Sequence, residues 1–310
     1  MLPKVDTFDE LDAVCADEKL VRAACRELVH QLGLYGAPVV HFEDGSLPVF
    51  AVGDDMVFKF YPGIQASKSA FEAVVLDHLW RQLPVETPRL ITTNEYVNGW
   101  RYVMMTRLPG IDMARGWHRI PPADKDRLIS EAGEVLASLH KMDITPLKGA
   151  LPPLNWEDFV AQRRVEAMKL HSSKPVPRVW LEQIPDFLNS VRLPVTDERV
   201  LLHTEFMREH LTVAPRENWR LTGLFDFETA LIGDPAYDFA SVGAFVTYGQ
   251  PRQMRRFFRA YGRDPFDPDQ MLAYLLLHLY CDLPFYFSEL PTPAEPRLDI
   301  LAETWFGTNG

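Results

Sequence analysis

LLHTEFMREHLTVAPRENWRLTGLFDFETALIGDPAYD, residues Leu201–Asp238, is the most informative stretch of this 310-residue chain. It contains three polar blocks in a fixed order, at His203–His210, Phe225–Glu228 and Gly233–Asp238. Between the first two blocks, Leu211–Val213 and Arg220–Phe225 are predicted to form a short hairpin, with Pro215–Asn218 as its turn. The pattern therefore predicts a polar loop that contains Glu205, then a hairpin, and then the carboxylate of Asp226 at the end of the second hairpin strand.

These blocks resemble the motifs of the aminoglycoside phosphotransferase family of kinase-fold enzymes. Members of that family typically read H-G-D-x-x-x-x-N, then I-D-[FW]-E, then G-D-P-x-x-D. The second and third motifs are intact here, whereas the first is replaced by HTEFMREH. The order and spacing of all three favour the resemblance over a chance run of carboxylates on a polar loop.

The resemblance implies roles for four residues of this stretch. Glu205 stands at the catalytic carboxylate position, and His203, the first residue of the same motif, is assigned to the catalytic group with it. Asp226 and His210 stand at the positions of the two metal ligands. Glu205 carries one methylene more than aspartate, and a misplacement of that size can cost roughly 10²-fold in rate. The imidazole of His210 is a softer ligand than an asparagine oxygen and suits Zn²⁺ or Mn²⁺ better than Mg²⁺.

Several outcomes are open for this altered loop. One metal held by Asp226 suffices, a different metal is used, or the site binds nucleotide without turnover. A further alternative is that His210 is an ordinary loop residue, if the true alignment with the family differs. A change of reaction, for instance to nucleotidyl transfer, is also compatible with the motifs.

The amino-terminal third predicts three strands, at Pro38–Phe42, Val49–Val52 and Met56–Phe60. Gly45 and Ser46 lie in the first turn, where glycine allows backbone N–H groups to approach phosphate oxygens. Lys59 lies on the third strand. A lysine between apolar residues is often a surface lysine with a buried stem, but the resemblance implies that Lys59 contacts the nucleotide phosphates.

The next segment, Ser67–Arg81, has the apolar periodicity of a helix. Glu72 lies near its start. The resemblance implies an ion pair between Glu72 and Lys59, whereas the spacing from Ser69 also fits a capping box. The ion pair is the preferred interpretation.

Trp100–Met105 reads as a strand leading to the segment that connects the two lobes in the family. There the resemblance implies that Met105 and Arg107 contact the adenine through backbone groups. Because backbone groups are the same for every residue type, the sequence does not distinguish ATP from GTP as the nucleotide. Asp124–Lys141 is predicted to be an amphipathic helix, in which His140 is assigned to packing or capping rather than catalysis.

The carboxyl-terminal part is predicted to be helical and aromatic. Arg252–Tyr261 is a basic amphipathic helix, and a second helix runs through Met271–Asp282 after a start at Asp267-Pro268. Family members bind their acceptor against such helices, and an aromatic and acidic wall suits an amine-bearing acceptor. Each individual residue there is more simply explained by a hydrophobic core with solvated carboxylates, so none is assigned to the site.

Composition limits the class of protein. Hydrophobic residues make up 47% and charged residues 24%, which is typical of a soluble globular protein. A formal net charge of −11 argues against a nucleic-acid partner and is compatible with a cationic substrate.

Three cysteines without a C-x-x-C motif indicate reduced thiols and a cytoplasmic location. Met1–Asp12 lacks the apolar core of a secretory signal, and the apolar run at Tyr274–Cys281 is too short for a membrane span.

Together these observations predict an α+β, two-lobe protein-kinase-like fold. A small N-lobe with an antiparallel sheet spans residues 1–105, and a larger, mainly helical C-lobe spans residues 106–310. The expected activity is ATP- or GTP-dependent phosphoryl transfer, with Mg²⁺ or Mn²⁺, to a small hydroxylated acceptor such as an aminoglycoside, another antibiotic or a metabolite. The alternative is a catalytically impaired pseudokinase that acts as a nucleotide-binding regulatory module.

Overall fold

The computed structural model describes residues 1–43, 45–151, 155–193, 198–215 and 217–309. The chain forms two compact units. Unit 1 comprises Met1–Pro109 and Gly223–Thr229, and unit 2 comprises Gly110–Thr222 and Ala230–Gly310. The segment that carries Asp226 therefore belongs to the amino-terminal unit, although more than a hundred residues separate them in sequence. Its Leu224 N–H donates a hydrogen bond to the Glu86 carbonyl at 2.9 Å, which fixes the segment in unit 1.

Unit 1 is built on a five-stranded antiparallel sheet. Its strands are β1 (Val39–Phe42), β2 (Val49–Val52), β3 (Met56–Tyr61), β4 (Leu90–Glu95) and β5 (Arg101–Thr106), in the order β1-β2-β3-β5-β4. The four strands predicted from the sequence are all present, with ends that differ by one residue at most. Lys59 pairs with Val49 on one side and Val103 on the other, so it lies in the middle of the sheet.

The α-helices in the described part of unit 1 are α1 (Phe8–Ala16), α2 (Glu18–Gln31) and α3 (Ala66–Leu79). Helix α3 begins at Ala66, so Ser69 lies within its first turn and cannot be the N-cap residue. The Ser69 hydroxyl instead donates to the Ala66 carbonyl at 2.7 Å. The capping-box interpretation of Ser69 and Glu72 is therefore wrong, because the helix starts earlier than that motif requires.

Unit 2 is mainly helical. Its helices are α4 (Met113–Gly116), α5 (Pro122–His140), α6 (Trp156–Ser172), α7 (Arg178–Leu181), α8 (Ile184–Ser190), α9 (Ala236–Ser241), α10 (Pro251–Tyr261), α11 (Pro268–Leu277), α12 (Leu283–Glu289) and α13 (Leu298–Phe306). A π-helical turn follows α9 at Val242–Val246. The strands form two small groups, β6 (Ile111–Asp112) with β8 (Leu211–Pro215) and β9 (Trp219–Leu224), and β7 (Val200–Leu202) with β10 (Leu231–Gly233).

The predicted hairpin of the polar stretch is present, since β8 and β9 are neighbours in their sheet. Part of its turn, residue 216, lies outside the described residues. The helix predicted to run to Asp282 is shorter than expected. Helix α11 ends at Leu277, and His278 has extended backbone dihedrals with a ring that is buried elsewhere in unit 2. Periodicity alone did not reveal this end, because apolar residues continue on both sides of it.

Among the residues that the structure describes, no helix has the length and apolar character needed to cross a membrane. The three cysteines, Cys15, Cys25 and Cys281, are free thiols. Burial raises the pKa of the Cys15 thiol to about 11 and that of Cys25 to about 12. Both thiols are therefore protonated near neutral pH.

Candidate active site

Lys59 is the centre of a cluster of charged side chains in unit 1. Its Nζ lies 2.5 Å from Asp226 Oδ1, 2.8 Å from Glu228 Oε2 and 3.6 Å from Glu72 Oε1. The lysine side chain is 7% exposed. A surface lysine would keep its ammonium in water, so that interpretation is wrong for Lys59. The expected ion pair with Glu72 is formed, and two further carboxylates join it.

The local structure explains why these groups meet. Side chains two residues apart on a strand share a face, so Tyr61 and Lys59 of β3 project together. The Tyr61 hydroxyl donates to Glu72 of α3, which fixes the glutamate beside the lysine. Lys68 lies one helical turn before Glu72 and donates to Glu228 Oε1 at 3.1 Å. Helix α3 thus supplies one carboxylate and one ammonium group to the same cluster.

Burial and the neighbouring charges shift the pKa values of this cluster in opposing directions. Burial lowers the pKa of Lys59, but the carboxylates of Asp226, Glu72 and Glu228 outweigh it and raise the pKa well above its ordinary value. Burial also raises the pKa of Glu72, against the attraction of Lys59. The cluster contains two lysines and three acidic side chains. With all of them ionised, it carries an excess of negative charge that a divalent cation can compensate.

Asp226 is the carboxylate of this cluster that solvent reaches best. Its side chain is 27% exposed, compared with 8% for Glu228 and 1% for Glu72. Its backbone has φ 72°, in the left-handed region. For a residue other than glycine this conformation costs on the order of 1–3 kcal/mol and persists where the surrounding structure imposes it. Asp226 thus combines a left-handed backbone with the most exposed carboxylate of the cluster.

The other residues assigned to nucleotide binding lie outside this ion-pair cluster. Gly45 and Ser46 are exposed in the turn between β1 and β2, and Gly45 has φ 124°, which favours glycine there. Met105 is buried in β5 opposite Val57. Just after that strand, the Arg107 N–H donates to the Asp55 carbonyl at 2.7 Å. The turn between β1 and β2 and the end of β5 therefore belong to the same sheet as Lys59.

The altered catalytic loop, which follows β7 in unit 2, is held by Asp238. The two oxygens of this buried carboxylate accept the backbone N–H groups of His203, at 2.9 Å, and Thr204, at 2.6 Å. His140 Nε2 lies 2.9 Å from the same Asp238 side chain, and its Nδ1 lies 2.9 Å from the Tyr261 hydroxyl. His140 therefore orients Asp238, which agrees with its assignment to packing.

Thr204 occupies the position at which the family motif has glycine, and its φ is 69°. A β-branched residue in the left-handed region is an outlier that needs support from its surroundings. That support comes from both peptide groups of Thr204. Its carbonyl accepts hydrogen bonds from Ser241 Oγ at 2.8 Å and from His278 Nε2 at 3.0 Å, and its N–H is bound by Asp238.

His210 and Glu205 are brought together in the loop. His210 Nδ1 donates to the Glu205 backbone carbonyl at 2.9 Å, because a carbonyl oxygen can only accept. In the neutral imidazole the lone pair then lies on Nε2. The ring of His203, which is fully buried, lies 5.7 Å from that of His210, measured between centroids. The structure thus places the His203 ring in the interior of unit 2, beside that of His210.

Arg208 anchors the same loop. Its guanidinium lies 3.5 Å from the ring centroid of Trp117 and 4.4 Å from that of Tyr248, and it donates two hydrogen bonds to the Val246 carbonyl. Burial lowers the pKa of Arg208 to about 10, so it remains charged at neutral pH. Cation–π contacts of this kind strengthen when they are desolvated.

Sequence reasoning did not assign Glu228, Lys68, Ser241, His278 or Arg208 to the site. Glu228 and Arg208 lie within the quoted motifs, so their position was a usable signal. Lys68 precedes Glu72 by four residues, the spacing of neighbours on a helix face. Ser241 and His278 carried no signal, because only the tertiary structure brings them to Thr204.

Comparison with known proteins identifies the family. The sequence profile of the phosphotransferase enzyme family matches residues 39–274. The chain belongs to this family of phosphotransferase enzymes. The matched range includes the Lys59 cluster and the altered loop that follows β7.

Relatives and solved structures agree with this assignment. An aminoglycoside 3'-phosphotransferase from Niallia circulans is 25% identical over 256 residues, which are 80% of this phosphotransferase and 90% of the relative. The GDP complex of wild-type aminoglycoside 2'-phosphotransferase-IIIa is similar with a TM-score of 0.69 and 19% identity, over 86% of this chain and 94% of that one. The apoenzyme of a macrolide 2'-phosphotransferase from Brachybacterium faecium has a TM-score of 0.60 and 16% identity, over 90% and 97%. The predicted kinase-like fold is thereby confirmed.

Proposed function

We propose that this chain is an ATP- or GTP-dependent O-phosphotransferase that acts on a small hydroxylated molecule. The observation that carries the proposal is the buried Lys59, held between Asp226, Glu72 and Glu228. A buried ammonium group of fixed orientation is suited to phosphate oxygens, with which it forms charge-assisted hydrogen bonds. The GDP bound by a structural relative supports a nucleotide as the ligand.

The residues of unit 1 fit a magnesium ion. Asp226 offers carboxylate oxygens, which are the donors that Mg²⁺ prefers. Within the described ranges no three or more His, Cys, Asp or Glu side chains are grouped to hold a metal by themselves. Mg²⁺ usually takes one or two carboxylates and completes its shell with phosphate oxygens and water. When bound, the ion would neutralise phosphate charge, and Asp226 would hold it.

In this proposal Glu205 is the acceptor-facing carboxylate. It orients the attacking hydroxyl and accepts its proton as the new O–P bond forms and the bond from the γ-phosphorus to the leaving nucleoside diphosphate breaks. His210 takes the place of the asparagine metal ligand, with its Nδ1 bound to the loop and its lone pair on Nε2. His203 and Arg208 hold the loop in place. Lys59 binds the phosphates, while Gly45, Ser46, Met105 and Arg107 contribute backbone contacts to the nucleotide.

The acceptor belongs to a broad class. Aminoglycoside and macrolide phosphotransferases are both among the relatives, so the family alone does not select one antibiotic. A cationic acceptor such as an aminoglycoside is favoured by the net charge of −11. Fold does not determine the acceptor, because a given framework hosts many substrates. The three free thiols favour a reducing, cytoplasmic location.

The experiment that tests the proposal is a two-step assay. Titration calorimetry with ATP and GTP, in Mg²⁺ and in Mn²⁺, first measures binding, and a panel of aminoglycosides and macrolides then tests turnover, with product masses identifying the transferred group. A mass increase of one phosphate is expected. Lys59→Ala should abolish or strongly weaken nucleotide binding, while Lys4→Ala, an exposed lysine of the same unit, serves as the matched control.

Three results contradict this proposal. The absence of nucleotide binding by the wild type removes the phosphotransferase function altogether. Binding without turnover for any acceptor or metal supports the pseudokinase alternative. A product that carries a nucleotide instead of a phosphate changes the reaction to nucleotidyl transfer.

A further inference from the structure

We infer that His278 and Ser241 are positioning residues, which hold Thr204 in its left-handed conformation and so direct the side chain of Glu205. The inference rests on the proposed function of Glu205 as the acceptor-facing carboxylate. Neither residue touches the proposed reacting atoms. Both side chains donate a hydrogen bond to the carbonyl of Thr204. This carbonyl belongs to the peptide bond that leads to Glu205, whose carboxylate has to face the acceptor.

Three elements converge on this single residue. The turn after β7 carries Thr204, helix α9 supplies Asp238 and Ser241, and the segment after α11 supplies His278. Asp238 fixes the N–H of Thr204, and the other two fix its carbonyl. Because the peptide groups on both sides of its Cα are held, Thr204 cannot change its φ or ψ without breaking at least one hydrogen bond. This matters here because the native φ of 69° is unfavourable for threonine and would otherwise relax.

The hydrogen bonds of His278 define its protonation state. The Tyr280 N–H donates to His278 Nδ1 at 3.2 Å, so Nδ1 carries the lone pair. The proton therefore lies on Nε2, which donates to Thr204. The ring stacks on Tyr237 with centroids 5.1 Å apart, and this contact limits its rotation. Hydrogen bonds at both ring nitrogens thus fix the neutral tautomer with its proton on Nε2, and this N–H donates to the loop.

The arrangement matters for Glu205 because its side chain is longer than that of the family aspartate. Its oxygens reach the position of the aspartate oxygens only if the loop is held in a defined conformation. Relaxation of Thr204 turns the following peptide and moves the carboxylate by an ångström or so, which is enough to reduce turnover. The threonine, the glutamate and the two donors therefore act as one adapted set.

The test compares His278→Leu in two backgrounds, the natural Thr204 and Thr204→Gly. Leucine removes the donor, whereas His278→Gln retains an amide donor and should rescue the loss in part. In the threonine background we expect kcat to fall about 10- to 100-fold with unchanged nucleotide affinity. In the glycine background the loss should be below about threefold, because glycine adopts the left-handed conformation without support. Ser241→Ala should act in the same direction as His278→Leu, and it provides a second variant if leucine prevents folding.

His171 offers a matched control. Its ring is also fully buried in unit 2, and its Nε2 also lies 2.9 Å from a backbone carbonyl, that of Leu276. His171→Leu should lower the stability of the protein about as much as His278→Leu does. It should change kcat little in either the threonine or the glycine background. If His278→Leu has the same effect on kcat in both backgrounds, or none in either, the inference is overturned.

A readout independent of turnover separates this inference from the proposed function. Crystal structures of His278→Leu should show residue 204 outside the left-handed region in the threonine chain and inside it in the glycine chain. A wild type without any turnover contradicts the proposed function only, and the structures then decide the inference by themselves. Retention of the left-handed conformation by Thr204 in the leucine variant overturns it.

Discussion

His278 shows how burial of one side chain makes the stability of the whole chain depend on pH. Burial lowers its pKa from the usual 6.5 to about 4, an effect that the hydrogen bond to Thr204 and the charge of Asp238 partly oppose and the charge of Arg163 reinforces. Protonation would also place two donors face to face, at His278 Nδ1 and the Tyr280 N–H. The folded protein therefore resists taking up a proton that the unfolded chain binds readily.

The first prediction concerns this linkage. Above pH 6.5 His278 is neutral in both states and contributes no pH dependence. As the pH falls from 6.5 to about 4 the unfolded chain gains a proton first, so wild-type stability declines by an amount on the order of 3 kcal/mol from this residue.

His278→Gln should remove that decline, which denaturant unfolding at several pH values measures as a difference between the two proteins. Because the other titrating groups are shared by both, they cancel in the difference. Parallel curves for the wild type and the variant would show that His278 takes up a proton as readily in the folded chain as in the unfolded chain.

A second prediction at the scale of single residues addresses the altered loop. Glu205→Gln keeps the size of the side chain but cannot accept a proton, so it should reduce kcat by 10²-fold or more, a value typical of removing a general base. Nucleotide affinity should be nearly unchanged.

The double variant Glu205→Asp with His210→Asn restores the family motif and separates an adapted loop from a decayed one. If the natural loop is adapted, the double variant should not exceed the wild type. Turnover that appears only in the double variant would instead support the pseudokinase alternative.

At the scale of elements, helices α5 and α10 pack closely through Gly133. A Cβ atom built on this glycine lies 2.5 Å from the Phe257 carbonyl oxygen and 3.1 Å from the Ala260 Cβ. The obstacle is largely backbone, which cannot turn aside as a flexible side chain does. The glycine is therefore explained by the approach of the two helices, since an interior helical glycine is otherwise unfavourable compared with alanine.

The third prediction follows from that contact. Gly133→Ala should destabilise the protein by about 1–3 kcal/mol, because the steric cost exceeds the gain in helix propensity. Chemical denaturation measures the loss. Gly149→Ala is the control, since a Cβ at Gly149 meets nothing within 4 Å and should change stability little. Equal stability of Gly133→Ala and the wild type would mean that the two helices separate at little cost.

At the scale of the whole molecule, ligand binding should stabilise the folded chain through unit 1. A ligand at one hundred times its Kd contributes about 2.7 kcal/mol. The fourth prediction is that ATP or GTP with Mg²⁺ raises the Tm of the wild type by several degrees, while Asp226→Asn loses most of the metal-dependent part of this shift. The apo Tm of the variant provides the control for folding. An equal shift in both proteins would remove Asp226 from the metal site.

The sequence by itself determined the strands of unit 1, the hairpin β8–β9, the family and the motif residues. These depend on local periodicity and on the order of residues along the chain, which are properties of the sequence. The pairing of Lys59 with Glu72 also followed from the motif. The end of α11 did not, because the tertiary contacts of His278 set it.

Only the tertiary structure showed that Glu228 and Lys68 join the Lys59 cluster and that Ser241 and His278 hold Thr204. The separation along the chain is 160 positions for Lys68 and Glu228, 37 for Ser241 and Thr204, and 74 for His278 and Thr204. Propensity and periodicity carry no information about such distant pairs, since burial and hydrogen bonding select them after the chain has folded. The motifs thus indicate the type of reaction, whereas the packing of the folded chain determines which side chains hold the motif residues in place.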